Sequence, residues 1–259
     1  MKKVIFKTCS IFLLLFSLVL FSCSMYYIYS WHHQNKLIDY QLDKINDVIK
    51  INKTKNVVIE SGSSDTKQTE LIDVDFSELK KMNEDVVGFI DVKGTNIYYP
   101  FVQGSDNSFY LNHSFDKSLN DAGWVFQDYR NDSFNDKNII IYAHSRLDKT
   151  MFGSLKNTLK KEWFNNKDNH LIRLSTENVN TIWEVFSIYH IPTTDDYLKV
   201  KFTSDNDFSE YIKMVKNRSI YEFNTNVLDN DKILTLSTCY RNNEKLVLHA
   251  KLVKMQLKQ

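Results

Sequence analysis

The chain is poor in cysteine and in proline. It has three cysteines; Cys9 and Cys23 fall in the apolar N-terminal stretch, which leaves Cys239 alone in the rest of the chain. No intramolecular disulfide can therefore form in the body, and Cys239 is either a buried small hydrophobe or a reactive nucleophile. Two prolines, set beside 14 Tyr and 17 Phe, fit a strand-rich fold with few rigid turns. Excess charge of either sign is also missing. With 33 Lys and Arg against 32 Asp and Glu, the net charge of +1 implies no strong electrostatic partner, and without a basic stripe nothing points to nucleic acid. The chain shows neither an internal repeat nor a low-complexity tract.

What is present begins with an anchor. Lys2, Lys3 and Lys7 precede a stretch, Thr8 to Asn35, that has no Asp, Glu, Lys or Arg. Its most apolar part, Ile11 to Tyr29, would span roughly 28 Å as a helix, close to the hydrocarbon thickness of a bilayer. The lysines predict a cytoplasmic N-terminus, Tyr26, Tyr27, Tyr29 and Trp31 an aromatic belt at the outer end, and the body a place outside the cytoplasm. Cleavage as a secretory signal is the alternative, although no A-x-A-like site is visible. Leu20-Phe21-Ser22-Cys23 fits a lipoprotein processing box poorly because of Phe21. A signal anchor is the expectation, with Cys9 and Cys23 as packing residues within it.

Residues 1–31 therefore read as cytoplasmic tip and transmembrane anchor, 32–74 as juxtamembrane helix and linker, and 75–259 as one domain large enough for a real core. Leu37, Ile38, Leu42, Ile45, Val48 and Ile49 recur at helical spacing. Asn52 to Lys67 is mostly polar, with Ser61-Gly62-Ser63-Ser64 as a linker or exposed turn. A short helix is predicted over Asp75–Asn83, capped by Asp75 or Ser77. Strands are predicted over Val86–Val92, Ile97–Tyr99, Trp124–Phe126, Asn138–Ala143, Leu171–Leu174, Thr181–His190, Lys232–Ser237 and Lys245–Met255. Helices are predicted over Phe152–Glu162 and Asp205–Asn217, the second carrying Phe208, Tyr211, Ile212 and Val215 on one face. Eight short strands with mostly brief connections suggest a closed barrel or a sandwich.

A cysteine acts as thiolate, so it needs a cation or base nearby and a group to neutralise an oxyanion. Among the seven histidines, His32 and His33 sit at the membrane boundary, His170 in a polar loop, and His190 and His249 in strand runs that suit core or surface roles. His113 is ambiguous. His144 differs, because it ends the run Ile139-Ile140-Ile141-Tyr142-Ala143, where a buried strand gives way to a polar turn able to line a cleft. Cys239 likewise ends Thr235-Leu236-Ser237-Thr238-Cys239. Spacing alone gives this pair little weight, since many proteins carry a His and a Cys on strands.

The words around the pair are more specific. Thr235-Leu236-Ser237-Thr238-Cys239 resembles the TLxTC signature of sortases, with the Ser typical of class B. Asn138 to His144 resembles that family's catalytic-His strand, and Met151-Phe152-Gly153-Ser154-Leu155 the helix that follows it. Val87-Gly88-Phe89-Ile90, Gly94 to Gly104, Tyr110-Leu111-Asn112-His113 and Gly123 to Asn131 continue the likeness in the family's order, from about Asp75 to the C-terminus.

The resemblance implies a mainly β fold: an eight-stranded sortase-like barrel with N-terminal helices, a helix in the long connection before the Cys strand, and a single N-terminal transmembrane helix. It implies a membrane-anchored cysteine transpeptidase with an extracytoplasmic catalytic domain. Cys239 would attack the Thr carbonyl of an LPxTG-like or NPxTx-like C-terminal sorting signal and form a thioester, with His144 as general acid and then base. The partners implied are surface proteins bearing such signals, and an acceptor amine from a peptidoglycan precursor or cross-bridge or from a pilin lysine. The family's Arg at the start of the last strand is replaced here by Lys245; the nearest Arg is Arg241, which is taken as the third catalytic residue, with Lys245 as the alternative. Leu111, Thr193, Tyr197, Leu198 and Ser237 fall where the family contacts its signal peptide. Asp128 and Arg130 read as a structural ion pair. No cofactor and no metal are implied, since the Asp and Asn residues of Asp132–Asp136 lack an EF-hand's spacing. Two other readings stand beside this one: a cysteine hydrolase of sorting signals on the same scaffold, and a membrane-tethered module that binds the signal without turnover.

Overall fold

The computed structural model describes residues 2–52, 56–60, 66–132 and 135–258. The Ser61-Gly62-Ser63-Ser64 turn and residues 133–134 of the Asp132–Asp136 stretch lie outside these. The chain divides into two compact units, Met1–Lys44 and Ile45–Gln259. A single helix, α1, runs Lys2–Val48, so the anchor segment and the juxtamembrane helix are one continuous element. Within it, Phe6–Val48 contains a stretch apolar enough to cross a membrane, none of it buried within the protein.

The stretch read as a linker is partly paired. Strand β1 (Lys50–Asn52) pairs antiparallel with β4 (Asp73–Asp75), and β2 (Asn56–Glu60) with β3 (Thr66–Glu70). Short length hides such strands: Val57-Val58-Ile59 is a brief apolar run, and Val57 packs against the Leu71, Leu171 and Ile182 cluster. Helix α2 (Ser77–Met82) follows, with the Asp75 carboxylate accepting the Ser77 backbone N–H at 2.9 Å.

Eight strands then close a barrel, as expected: β5 (Val86–Val92), β6 (Tyr98–Val102), β7 (Phe126–Gln127), β8 (Asn138–Tyr142), β9 (Leu171–Ser175), β10 (Val179–Pro192), β11 (Ile233–Cys239) and β12 (Glu244–Leu257). The order around the barrel is β10-β12-β11-β8-β7-β6-β5-β9. β8 pairs parallel with β11, and β6 with β7; the other pairs are antiparallel. Ile139, Ile140 and Ile141 are buried in succession because both faces of β8 are covered.

The helix predicted over Phe152–Glu162 is instead a 3₁₀ segment at Gly153–Leu159 followed by a short helix α3 (Lys161–Asn165), separated by Lys160 in extended conformation. Helix α4 spans Asp205–Asn217, and the Ser204 side chain caps it by accepting from the Asp207 N–H. Its predicted face is buried: Phe208, Tyr211, Ile212 and Val215 pack with Phe186, Tyr189, Ile233 and Val247 of the barrel wall. Burial of such side chains stabilises by about 1.5–3 kcal/mol each. Tyr197 joins the same cluster, so packing of α4 also seats the segment that leads into it.

Candidate functional site

Three neighbouring strands bring the candidate residues together. In the parallel β8–β11 pair Ser237 lies opposite Tyr142, and the Thr238 hydroxyl donates to the Ala143 carbonyl at 2.7 Å. His144 and Cys239 are the next residues on each side, on strands roughly 4.8 Å apart. On the far side of β11, the antiparallel register sets Lys245 opposite Cys239, and the Lys245 ammonium donates to Cys239 Sγ at 3.4 Å. Cys239 is exposed, while His144 and Lys245 are half-buried.

The turn between β11 and β12 explains which cation arrives. The Tyr240 N–H donates to the Glu244 carbonyl at 3.0 Å and the Glu244 N–H to the Arg241 carbonyl at 3.1 Å, with Asn243 at a φ of 61°. This tight hairpin folds Lys245 back beside the thiol. Arg241 sits in the turn itself, exposed, with its guanidinium 5.0 Å from the centre of the Tyr240 ring. The arrangement thus puts Lys245 next to Cys239 and Arg241 against Tyr240.

His144 is held by a backbone group. Its Nε2 lies 2.7 Å from the Leu111 carbonyl oxygen, which can only accept, so Nε2 carries the proton. The contact depends on Gly123. A Cβ there would lie 2.5 Å from the Tyr110 oxygen, 2.8 Å from the Leu111 oxygen and 3.0 Å from His144 Cδ2, and the φ of +60° already favours glycine. The Phe152 N–H bonds the His144 carbonyl at 3.0 Å and fixes the residue from its other end.

Four other histidines are engaged elsewhere. His113 Nδ1 faces the Phe109 carbonyl at 2.8 Å, and His170 Nε2 faces that of Phe164 at 2.8 Å. His190 lies 3.5 Å from the Glu244 carboxylate. His249 is fully buried, its Nε2 3.0 Å from the Tyr189 hydroxyl and its Nδ1 2.9 Å from that of Thr235. Burial, with the Arg218 charge adding to it, pushes its pKa down to about 3, so the ring is neutral.

Of the residues expected along the signal peptide, Leu111 and Thr193 are exposed and Leu198 is half-buried. Tyr197 and Ser237 are buried, and their hydroxyls bond each other at 3.0 Å behind Cys239. Asp128 and Arg130 form a bidentate pair, with Nε to Oδ1 at 2.9 Å and Nη2 to Oδ2 at 2.7 Å. Burial pushes the Asp128 carboxyl up, but the hydrogen bonds from Arg130 and Tyr142 outweigh it and hold the pKa below the ordinary value. Among the described residues, no three His, Cys, Asp or Glu side chains gather to hold a metal ion.

Chemically, a thiol flanked by an imidazole and an ammonium on adjacent strands offers a nucleophile, an acid–base group and a positive charge for a developing oxyanion. Two parts of this site escape sequence reasoning: the Leu111 carbonyl, because a backbone group leaves no trace in residue type, and Gly123, whose only signal is a glycine directly before Trp124.

A sortase-domain family model matches residues 90–253. Sortase B of Listeria monocytogenes is 35% identical over 181 residues, covering 68% of this chain and 73% of that protein. A crystal structure of sortase B from Bacillus anthracis, in complex with AAEK1, superposes with a TM-score of 0.70 at 31% identity, covering 88% of this chain and 99% of that one. A Staphylococcus aureus sortase B–substrate complex gives a TM-score of 0.65 at 34% identity, with coverage of 69% and 84%.

Proposed function

The chain belongs to the sortase B family of cysteine transpeptidases, and from that premise we propose that it cleaves a C-terminal sorting signal after Thr and transfers the protein to an amine. The Lys245–Cys239 contact at 3.4 Å carries this reading, because it sets a cation beside the family's nucleophile position. In this scheme the Cys239 thiol passes its proton to His144 as Sγ attacks the Thr carbonyl, and Lys245 offsets the charge that develops on oxygen. His144 protonates the departing amine, leaving a thioester on Cys239. An incoming amine then gives up a proton to His144 and displaces the thiol. The geometry supports Lys245 over Arg241 for the cation, since Lys245 contacts Cys239 while Arg241 lies over the Tyr240 ring.

The substrate is read as an LPxTG-like or NPxTx-like signal lying between Leu111 on one side and Thr193 to Leu198 on the other, above the Tyr197–Ser237 pair. That a sortase B of S. aureus has been solved as a substrate complex supports a substrate of this kind. The acceptor is assigned to a peptidoglycan precursor or cross-bridge amine, or a pilin lysine. Residues 1–31 are assigned to a single-pass anchor with a cytoplasmic N-terminus, 32–74 to the juxtamembrane segment, and 75–259 to an extracytoplasmic catalytic domain.

Incubation of the full-length protein in detergent micelles with a set of sorting peptides, with and without an amine, tests this reading by mass spectrometry. The expected products are a thioester on Cys239, cleavage after Thr and an amine-linked peptide, all abolished by Cys239→Ala. Free acid as the sole product at every amine concentration makes the protein a hydrolase. Binding with neither cleavage nor thioester makes it a signal-binding module.

A further inference from the structure

Three successive backbone carbonyls of the segment before α4 each receive a side-chain donor from elsewhere. The Tyr211 hydroxyl donates to the Tyr197 carbonyl at 2.7 Å, Arg130 Nη2 to that of Leu198 at 3.1 Å, and Asn138 Nδ2 to that of Lys199 at 2.9 Å. Two of these donors are tied to β8, the strand that leads into His144. Asn138 is its first residue, and its Oδ1 accepts from the Thr235 hydroxyl of β11 at 2.7 Å. Arg130 is fixed by Asp128, which is wholly buried, accepts from the Tyr142 hydroxyl at 2.8 Å and donates its own N–H to the Ile140 carbonyl at 2.9 Å.

Satisfying buried backbone does not account for all of this. Leu198 is only half-buried and the Arg130 side chain is 42% exposed, so water could serve the Leu198 carbonyl equally well. What the guanidinium adds is position: its planar fork holds Asp128 with two nitrogens while one of them also reaches the wall.

We propose that the Asp128–Arg130 pair is a positioning clamp, which holds the Tyr197–Lys199 wall in register with the His144 strand and thereby sets affinity for the sorting signal rather than the rate of bond cleavage. This rests on the transpeptidase reading above. A wall held before the peptide arrives loses less freedom on binding, so loosening it weakens binding first.

The test uses the full-length protein in detergent micelles. Arg130→Lys keeps a cation for the buried carboxylate but lacks the fork that bonds Asp128 and the Leu198 carbonyl at once. Tyr211→Phe removes only the hydroxyl. For a sorting peptide cleaved by the wild type, Arg130→Lys is expected to raise KM about fivefold, the effect of one ordinary hydrogen bond, with kcat within twofold. Placed in the Cys239→Ala background, it is expected to weaken peptide binding by the same factor in fluorescence polarisation. Alkylation of Cys239 by iodoacetamide is expected to stay within twofold, because the thiol's own surroundings are untouched. Tyr211→Phe should move KM in the same direction. Loss of kcat at constant KM, or constants unchanged in both variants, overturns the clamp. If Arg130→Lys fails to fold, Tyr211→Phe decides by the same criteria. Absence of both cleavage and thioester in the wild type fells the transpeptidase reading and the clamp with it, whereas normal wild-type turnover with unchanged variants fells the clamp alone.

Discussion

The rim around His144 and the interior around His249 use the same side chain in opposite ways. His249 has both ring nitrogens engaged by hydroxyls in a fully buried setting, and its pKa is pushed down to about 3. His144 stands half-buried at a strand end with one nitrogen fixed by a backbone carbonyl. A fully engaged imidazole has no proton to exchange and serves as a wedge of packing. An imidazole fixed at one nitrogen keeps a defined orientation and leaves the other for chemistry. Acid–base capacity follows from what is left unbonded, not from the presence of histidine.

The largest effect that sharpens this contrast is on catalysis. His144→Ala should lower kcat/KM for a sorting peptide by about 10²–10⁴-fold, the span of general acid–base catalysis, while leaving the melting temperature nearly unchanged. Activity within a few-fold of wild type would break the comparison at once.

The cation comes next. Lys245→Ala is expected to cost about 100-fold in kcat, in line with loss of one oxyanion-stabilising group. Arg241→Ala should stay within about threefold of wild type, as for an exposed charge with little interaction energy. The reverse ranking would return the role to Arg241.

The smallest effect belongs to the interior and is read as stability. The unfolded chain protonates His249 near 6.5, whereas the folded state keeps it neutral down to about 3. Between these values the unfolded chain binds the extra proton, so stability rises with pH. The contribution is complete above pH 6.5 and is lost as pH falls toward 3, with a limiting slope on the order of 1.4 kcal/mol per pH unit. His249→Leu should flatten that slope in denaturant titrations. It should also cost about 1–3 kcal/mol at pH 7 by removing the bonds that the ring makes to the Tyr189 and Thr235 hydroxyls. An unchanged acid slope in the variant would assign the effect to other groups.

Most strands were legible as apolar runs, and the closed barrel rather than a sandwich came from the sortase resemblance. Val86–Val92 and Asp205–Asn217 match their predicted spans at both ends. Lys50–Asp75 was not, since its strands are only three to five residues long, and the segment after Phe152 tightens into 3₁₀ turns that share the composition of an α-helix. At the site, the pattern put His144 and Cys239 at the ends of two apolar runs, which is where the structure has them. It did not give which cation lies beside the thiol. Along the chain Arg241 is nearer to Cys239, but a hairpin reverses direction, and the residue opposite is the one that meets the thiol. The Leu111 carbonyl bond to His144 lies beyond any reading of residue types.

The parallel β8–β11 pair has a consequence for how such a protein can change. His144 lies just past the end of β8 and Cys239 ends β11, so each is followed at once by loop, 145–150 after one and 240–243 after the other. Insertions, deletions or exchanges in those loops, or in 193–200, would redraw the mouth without shifting the strand ladder that aligns the reactive pair. On the transpeptidase reading proposed above, bond chemistry and recognition would thereby vary as separate parts: the ladder holds His144 and Cys239 in place, and the loops set what reaches them.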